Sequence, residues 1–197
     1  MLVCWALFFA TCVAGQSFEL MPGTERIFVD AQFLQYFDAE SKISLFSRAR
    51  ATSGYEEKET DLFTGSYLNY TTSSGFGTTL LGRISSSNSA IDTGIHYFKA
   101  NQNIIIYALA AINVGDVLLY SWFSIFRYTR HLKSDWQVYT SLELFSAFAR
   151  IGHLSSVQRI RLGVGKHGYH FGLAVNLNES RMTGTDVNPG IFFRRQF

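Results

Sequence analysis

The chain has 197 residues, which is enough for a single domain or one barrel of similar size. It is 47% hydrophobic and only 16% charged, well under the roughly 25% charged of a typical soluble domain, which excludes a disordered chain. A net charge of +2 gives no concentrated basic face for nucleic acid, and a chain whose only cysteines are Cys4 and Cys12 is not a disulfide scaffold.

In chain order, residues 1–15 read MLVCWALFFATCVAG and hold no Asp, Glu, Lys or Arg. An apolar run closed by small residues is the pattern of a cleavable secretory signal peptide, cut here before Gln16, although no positive residue precedes the run. The run is too short for the ~20 residues of a membrane helix. A lipoprotein signal ending at Cys12 is the rival reading. Cleavage leaves residues 16–197 without a cysteine, which suits an oxidising compartment such as the periplasm.

The remaining chain alternates apolar and polar residues in runs of about ten, the period of a half-buried strand. In 26–37, Ile27, Val29, Ala31 and Phe33 alternate with Arg26, Asp30 and Gln32. In 42–51, Ile43, Leu45 and Ala49 alternate with Arg48 and Arg50. The next candidates are 61–71, 76–84 with Arg83, 90–99 with Asp92, 103–114, and 117–130 with Arg127. The stretches 103–114 and 117–130 alternate poorly. In 136–149, Val138, Leu142 and Leu144 alternate with Gln137, Tyr139 and Glu143. In 157–166, Ile160, Leu162 and Val164 oppose Arg159 and Arg161. In 169–178, Tyr169, Phe171, Leu173, Val175 and Leu177 share one face, and 190–197 carries Arg194. These make eleven strands. An up-and-down barrel with an exported N-terminus and a periplasmic C-terminus needs an even number, so Ser17-Phe18-Glu19-Leu20-Met21 is read as a short twelfth, with ten strands as the alternative.

Soluble and membrane barrels both alternate, so the deciding question is which face is dry. Aromatics gather beside alternate connections: Tyr36 and Phe37, Tyr70 and Phe76, Tyr97 and Phe98, Tyr128 and Trp136, and Tyr169. These connections fall at one end of an up-and-down barrel, where aromatics form an interfacial girdle. The stretches 51–60 and 179–189 read as longer loops at the other end, an asymmetry of outer-membrane barrels. The chain ends IFFRRQF, a final strand with a terminal aromatic of the sort that directs barrel assembly, so Phe197 is the expected assembly signal. Arg195 shares the outward parity of Ile191 and Phe193 and belongs at the interface, where an Arg costs only ~0–1 kcal/mol.

These features resemble a Gram-negative outer-membrane β-barrel. Gln158-Arg159-Ile160-Arg161-Leu162-Gly163, Phe171-Gly172 and Asn188-Pro189-Gly190-Ile191-Phe192-Phe193-Arg194 resemble a small barrel family of Bacteroidota-type bacteria of unassigned function. The resemblance implies a transmembrane barrel in the outer membrane, reached through the periplasm, and carries no catalytic residues.

If apolar side chains face lipid, Asp30, Arg48, Arg50, Arg83, Asp92, Arg127, Glu143, Arg159, Arg161 and Arg194 face the lumen. Asp30 can then meet Arg48 or Arg50, and Glu143 can meet Arg159 or Arg161, in charge-assisted pairs. The surplus of arginine predicts a positive lumen, either an anion-attracting channel or binding site or a structural polar plug. Expected partners are outer-membrane lipid, the barrel-assembly machinery, small anionic solutes and a larger envelope complex, with no nucleic acid and no cofactor. Two alternatives remain. His153-Leu154-Ser155, in an expected outer loop, has the spacing of a lipid hydrolase pair but no nearby acid. The sequons Asn69-Tyr70-Thr71 and Asn178-Glu179-Ser180 keep a soluble lipocalin-like barrel open, with the two faces exchanged.

Overall fold

The computed structural model describes residues 15–56, 60–86, 88–115, 118–182 and 184–197. The signal-peptide reading, apart from Gly15, and the lipoprotein reading at Cys12 lie outside the described residues. Twelve strands follow in order: β1 (Gly15–Pro22), β2 (Arg26–Tyr36), β3 (Ile43–Gly54), β4 (Thr60–Thr71), β5 (Phe76–Ser85), β6 (Ser89–Ala100), β7 (Ile104–Asn113), β8 (Leu119–His131), β9 (Trp136–Ala149), β10 (Gly152–Lys166), β11 (Tyr169–Ser180) and β12 (Gly184–Gln196). Each pairs antiparallel with its sequence neighbours, and β1 pairs with β12 to close the barrel. Closure satisfies backbone groups that would be costly to leave open in hydrocarbon. The stretch 17–21 is a full member of the wall: Phe18 lies opposite Ala31 on β2 and Arg195 on β12.

The connections 37–42, 72–75, 101–103, 132–135 and 167–168 share one rim with the start of β1 and the end of β12; we call it the lower rim. The upper rim holds 23–25, 55–59, 86–88, 114–118, 150–151 and 181–183. Both rims carry connections of two to six residues, so the expected difference in loop length is absent. The reason is that strands run through the polar ends of both expected loops. Thr52 pairs with Asp61, and Asn178 pairs with Asp186, because a lumen-facing strand end has no need of apolar residues. Pro189 also lies inside β12, opposite Val175.

Alternation decides the faces. Leu68, Leu80, Ile95, Leu162, Phe171, Leu173, Ile191 and Phe193 are exposed on the outer wall, with Ile95 and Leu173 each 66% accessible. Phe28, Asp30, Arg48, Tyr139, Glu143, Arg161 and Phe192 are buried inside. A contiguous apolar exterior of this extent marks a surface made for lipid, and it rules out the lipocalin arrangement, which needs the greasy face within. Of that reading's sequons, Asn69 is itself buried in the interior.

The lower rim carries Phe37, Tyr70, Phe76, Trp136 and Tyr169 outward, all exposed. Tyr36 and Phe98 do not join them: their strand parity turns them inward, where they line a cavity. Exposed Tyr120, Trp122 and Phe148 stand near the upper rim, giving an aromatic level at that end as well. Arg195 lies 3.9 Å from the Tyr169 ring centroid and donates to the His167 carbonyl at 2.7 Å, so its charge is held at the rim.

Candidate functional site

Six strands bring an ionic cluster together at mid-height in the lumen. Asp30 on β2 and Arg50 on β3 are register partners, yet the bidentate contact comes from Arg48, whose Nε and Nη2 reach the Asp30 oxygens at 2.6 and 2.9 Å. Arg50 Nε stands 3.5 Å from Asp30. Glu143 on β9 takes three guanidiniums at 2.5 Å each: Arg48 and Arg50 from across the lumen and Arg159 from its neighbour β10. Arg161 turns away from Glu143 and binds Glu19 of β1 at 2.8 Å, and Arg194 of β12 lies 3.5 Å from the same carboxylate. Arg159 and Arg161 also lie over the Phe28 ring, at 5.0 and 5.7 Å from its centroid.

Sequence reasoning missed Glu19, because a five-residue candidate strand gave little reason to orient its side chains. It also gave no role to Gln32. Gln32 Nε2 donates to Asp30 at 2.6 Å, while its Oε1 accepts from Arg194 at 3.2 Å and from Arg127 at 3.4 Å. Gln32 therefore joins the central cluster to the space below it. Arg127, on β8, has no carboxylate partner among the described residues, and its Nε is buried without a hydrogen-bond acceptor. Arg83 and Asp92 form a separate pair at 2.6 Å towards the upper rim.

The opposite half of the interior is apolar. Tyr67, Leu81, Leu109, Ala111, Phe123 and Ile125 form one buried cluster on β4, β5, β7 and β8, which explains why 103–114 and 117–130 alternate poorly. Met21, Phe28, Tyr139, Ala174 and Phe192 form a second, on the side of the ionic cluster. Met21 and Phe192 are 0% accessible and Tyr139 is 1%. With twelve strands, side chains can fill much of a cross-section that would be an aqueous channel in a wider barrel.

Below this filled middle, a cavity of about 200 Å³ is lined by lower-rim residues including Ser41, Phe98 and Gln196. Its polar residues include Arg127, Arg194, Asn69 and His96. Leu34, Tyr36, Phe46, Ile105 and Tyr107 supply apolar wall. Thr79 Oγ1 donates to Asn69 Oδ1 at 2.8 Å and contacts His96 Nδ1 at 2.8 Å; Thr71 Oγ1 lies 2.9 Å from His96 Nε2. These contacts fix the histidine ring, which stacks on Tyr107 with centroids 5.6 Å apart.

The motif 188–194 closes the seam. Asn188 accepts from the Glu25 and Arg26 amides at 3.1 and 3.4 Å and donates to the Arg26 carbonyl at 3.0 Å, clamping the β1–β2 turn onto β12. Gly163 and Gly172 face each other across β10 and β11; a Cβ on Gly172 would stand 2.2 Å from the Leu162 carbonyl oxygen. The space thus left inside is where Phe192 packs.

His153 and Ser155 lie within β10, at a register shift between them, and not in a loop. His153 Nε2 contacts Ser156 Oγ at 2.6 Å, while its ring stacks edge-on against Phe148. The histidine's hydroxyl partner is thus Ser156 and not the expected Ser155. Among the described residues no cluster of three His, Cys, Asp or Glu side chains is placed to hold a metal ion.

No family model and no curated protein matches the sequence. Among solved structures the chain resembles the KdgM porin, with TM-score 0.56 and 10% identity over 93% of this chain and 99% of that one. KdgM in complex with disordered oligogalacturonate gives 0.55 and 9% over the same shares. The NanC porin gives 0.54 and 9%, covering 93% and 98%. The likeness is one of fold. Fold and lipid-facing exterior together define an outer-membrane β-barrel of porin-like architecture.

Proposed function

We propose that this barrel draws small anionic solutes into its lumen and binds them there. The observation that carries the reading is the charge imbalance at mid-lumen. Among the described residues, Arg48, Arg50, Arg127, Arg159, Arg161 and Arg194 face only Asp30, Glu19 and Glu143. In a low-dielectric enclosure this surplus concentrates counter-ions of the opposite sign. The binding of oligogalacturonate by one porin of the same fold is in keeping with an anionic solute.

The filled middle favours binding over free passage, and passage requires the Arg48–Glu143 bridge to shift. The same filling supports a structural plug as the second reading. Planar-bilayer recording under a salt gradient, paired with equilibrium dialysis of small anions, tests all three. A steady anion-selective current assigns passage. Electrical silence with saturable anion binding assigns a binding barrel. Silence without binding leaves the plug, and cation selectivity overturns the proposal.

Within this reading residues 1–15 serve as the export leader, and outer-membrane lipid surrounds the wall. Phe197, exposed beside the β1–β12 seam, is the residue the barrel-assembly machinery would recognise. Deleting Phe197 is expected to lower the folded barrel recovered from outer membranes, and unchanged recovery would count against that role.

A further inference from the structure

We infer that the lower-rim cavity is a site for a small monocarboxylate carrying a single ring or a short hydrocarbon body. The inference rests on the anion-binding reading above and names the solute class. Two observations meet here. Arg127 offers a guanidinium with no carboxylate partner among the described residues, held only by a long contact to Gln32. Arg194 lies beside it in the cavity lining, sharing Glu19 with Arg161. One side of the space therefore carries unmatched positive charge on planar guanidiniums, the group that takes a carboxylate in a fork.

Away from the arginines, Leu34, Tyr36, Phe46, Phe98 and Ile105 supply apolar wall, interspersed with polar side chains of which Asn69, Thr71 and His96 are already engaged with one another or with Thr79. A sugar ring brings hydroxyls that need partners on every side, and burying them unpaired is costly. A hydrocarbon ring needs none, and the apolar members of the wall can pack against it. Size points the same way. The cavity measures about 200 Å³, and a dry cavity of about 150 Å³ takes one benzene. One ring and a carboxylate fit within it; most of an oligosaccharide would lie outside it.

The test is isothermal titration of the full barrel in detergent with benzoate, acetate, benzamide and galacturonate, on wild type and on Arg127→Gln. Saturable benzoate binding is expected, at least tenfold tighter than each of the other three and weakened about tenfold by Arg127→Gln. Equal binding of acetate and benzoate, both sensitive to Arg127→Gln, would keep the anion reading and overturn the inference. Tighter binding of galacturonate would do the same. Binding of none of the anions would overturn both. Should Arg127→Gln fail to fold, Phe98→Ser at the cavity mouth serves instead: it is expected to weaken benzoate and leave acetate unchanged, and equal effects on the two would overturn the inference.

Discussion

Glu143, itself buried, holds Arg48 and Arg50 of β3 and Arg159 of β10 together by ion pairs. A carboxylate at such a node matters less for net stability than for what its loss exposes. Buried guanidiniums left without a counter-charge are expensive, at about 3–5 kcal/mol for a broken buried pair. Glu143→Gln, which keeps the volume and removes the charge, should therefore lower unfolding stability by about that amount. Urea unfolding in lipid bilayers measures it, and a loss under about 1 kcal/mol would show that water already screens the cluster. Asp38 is a different case, set in the 37–42 turn outside the wall. Its carboxylate accepts from the Ile43 amide at 2.6 Å and the Lys42 amide at 3.0 Å, and these bonds hold its pKa below the usual value. A depressed carboxyl stabilises the turn above its unfolded pKa, and that contribution fades as pH falls through the folded one. Carbon-detected NMR titration of the Asp38 carboxyl should give a midpoint below about 3.9; a midpoint at or above it would remove the turn's pH dependence.

A single strand shows both environments of the wall. On β5, Thr79 and Leu81 are buried within, while Leu80 and Ile84 stand on the outer face. Leu80 lies in the middle of the strand and Ile84 next to its upper-rim end. An arginine facing lipid costs ~2–4 kcal/mol at the bilayer midplane and ~0–1 near an interface. Leu80→Arg should thus destabilise the barrel by several times more than Ile84→Arg, measured as the difference in unfolding free energy from vesicles. Equal costs would mean that the apolar belt is not centred on β5. At the scale of β12, the run 188–194 is a structural element before it is anything else: Asn188 pins a turn and Phe192 fills the space above the glycines of β10 and β11. Only Arg194, touching Ser17 at 2.6 Å, also reaches the cavity.

For the molecule as a whole, two halves of the interior do different work. Strands β1–β3, β9, β10 and β12 bring the central ionic cluster, and β4, β5, β7 and β8 bring an apolar buttress, to which β8 adds Arg127 at the cavity below. Unmatched lumen charge acts at a distance of about a Debye length, ~10 Å at 0.1 M salt. Small-anion binding by this barrel should accordingly weaken as sodium chloride is raised from 10 mM to 1 M. Affinity that is flat across that range would assign the interaction to contacts other than the arginines.

Period-two alternation marked eleven strands of an antiparallel barrel, because a strand's two faces are fixed by its own residues, and the need for an even number supplied the twelfth, 17–21. Neighbour contacts such as Glu143 beside Arg159 follow from the same local register. The sequence could not say that loops would be short at both rims, since polar strand ends and polar loops are alike in composition. Nor could it place Glu143 against Arg48, Gln32 against Arg127, or Tyr36 and Phe98 inside a cavity. Those contacts join strands far apart in the chain, and their distances are set by the girth of the closed barrel, a property that no single hairpin carries.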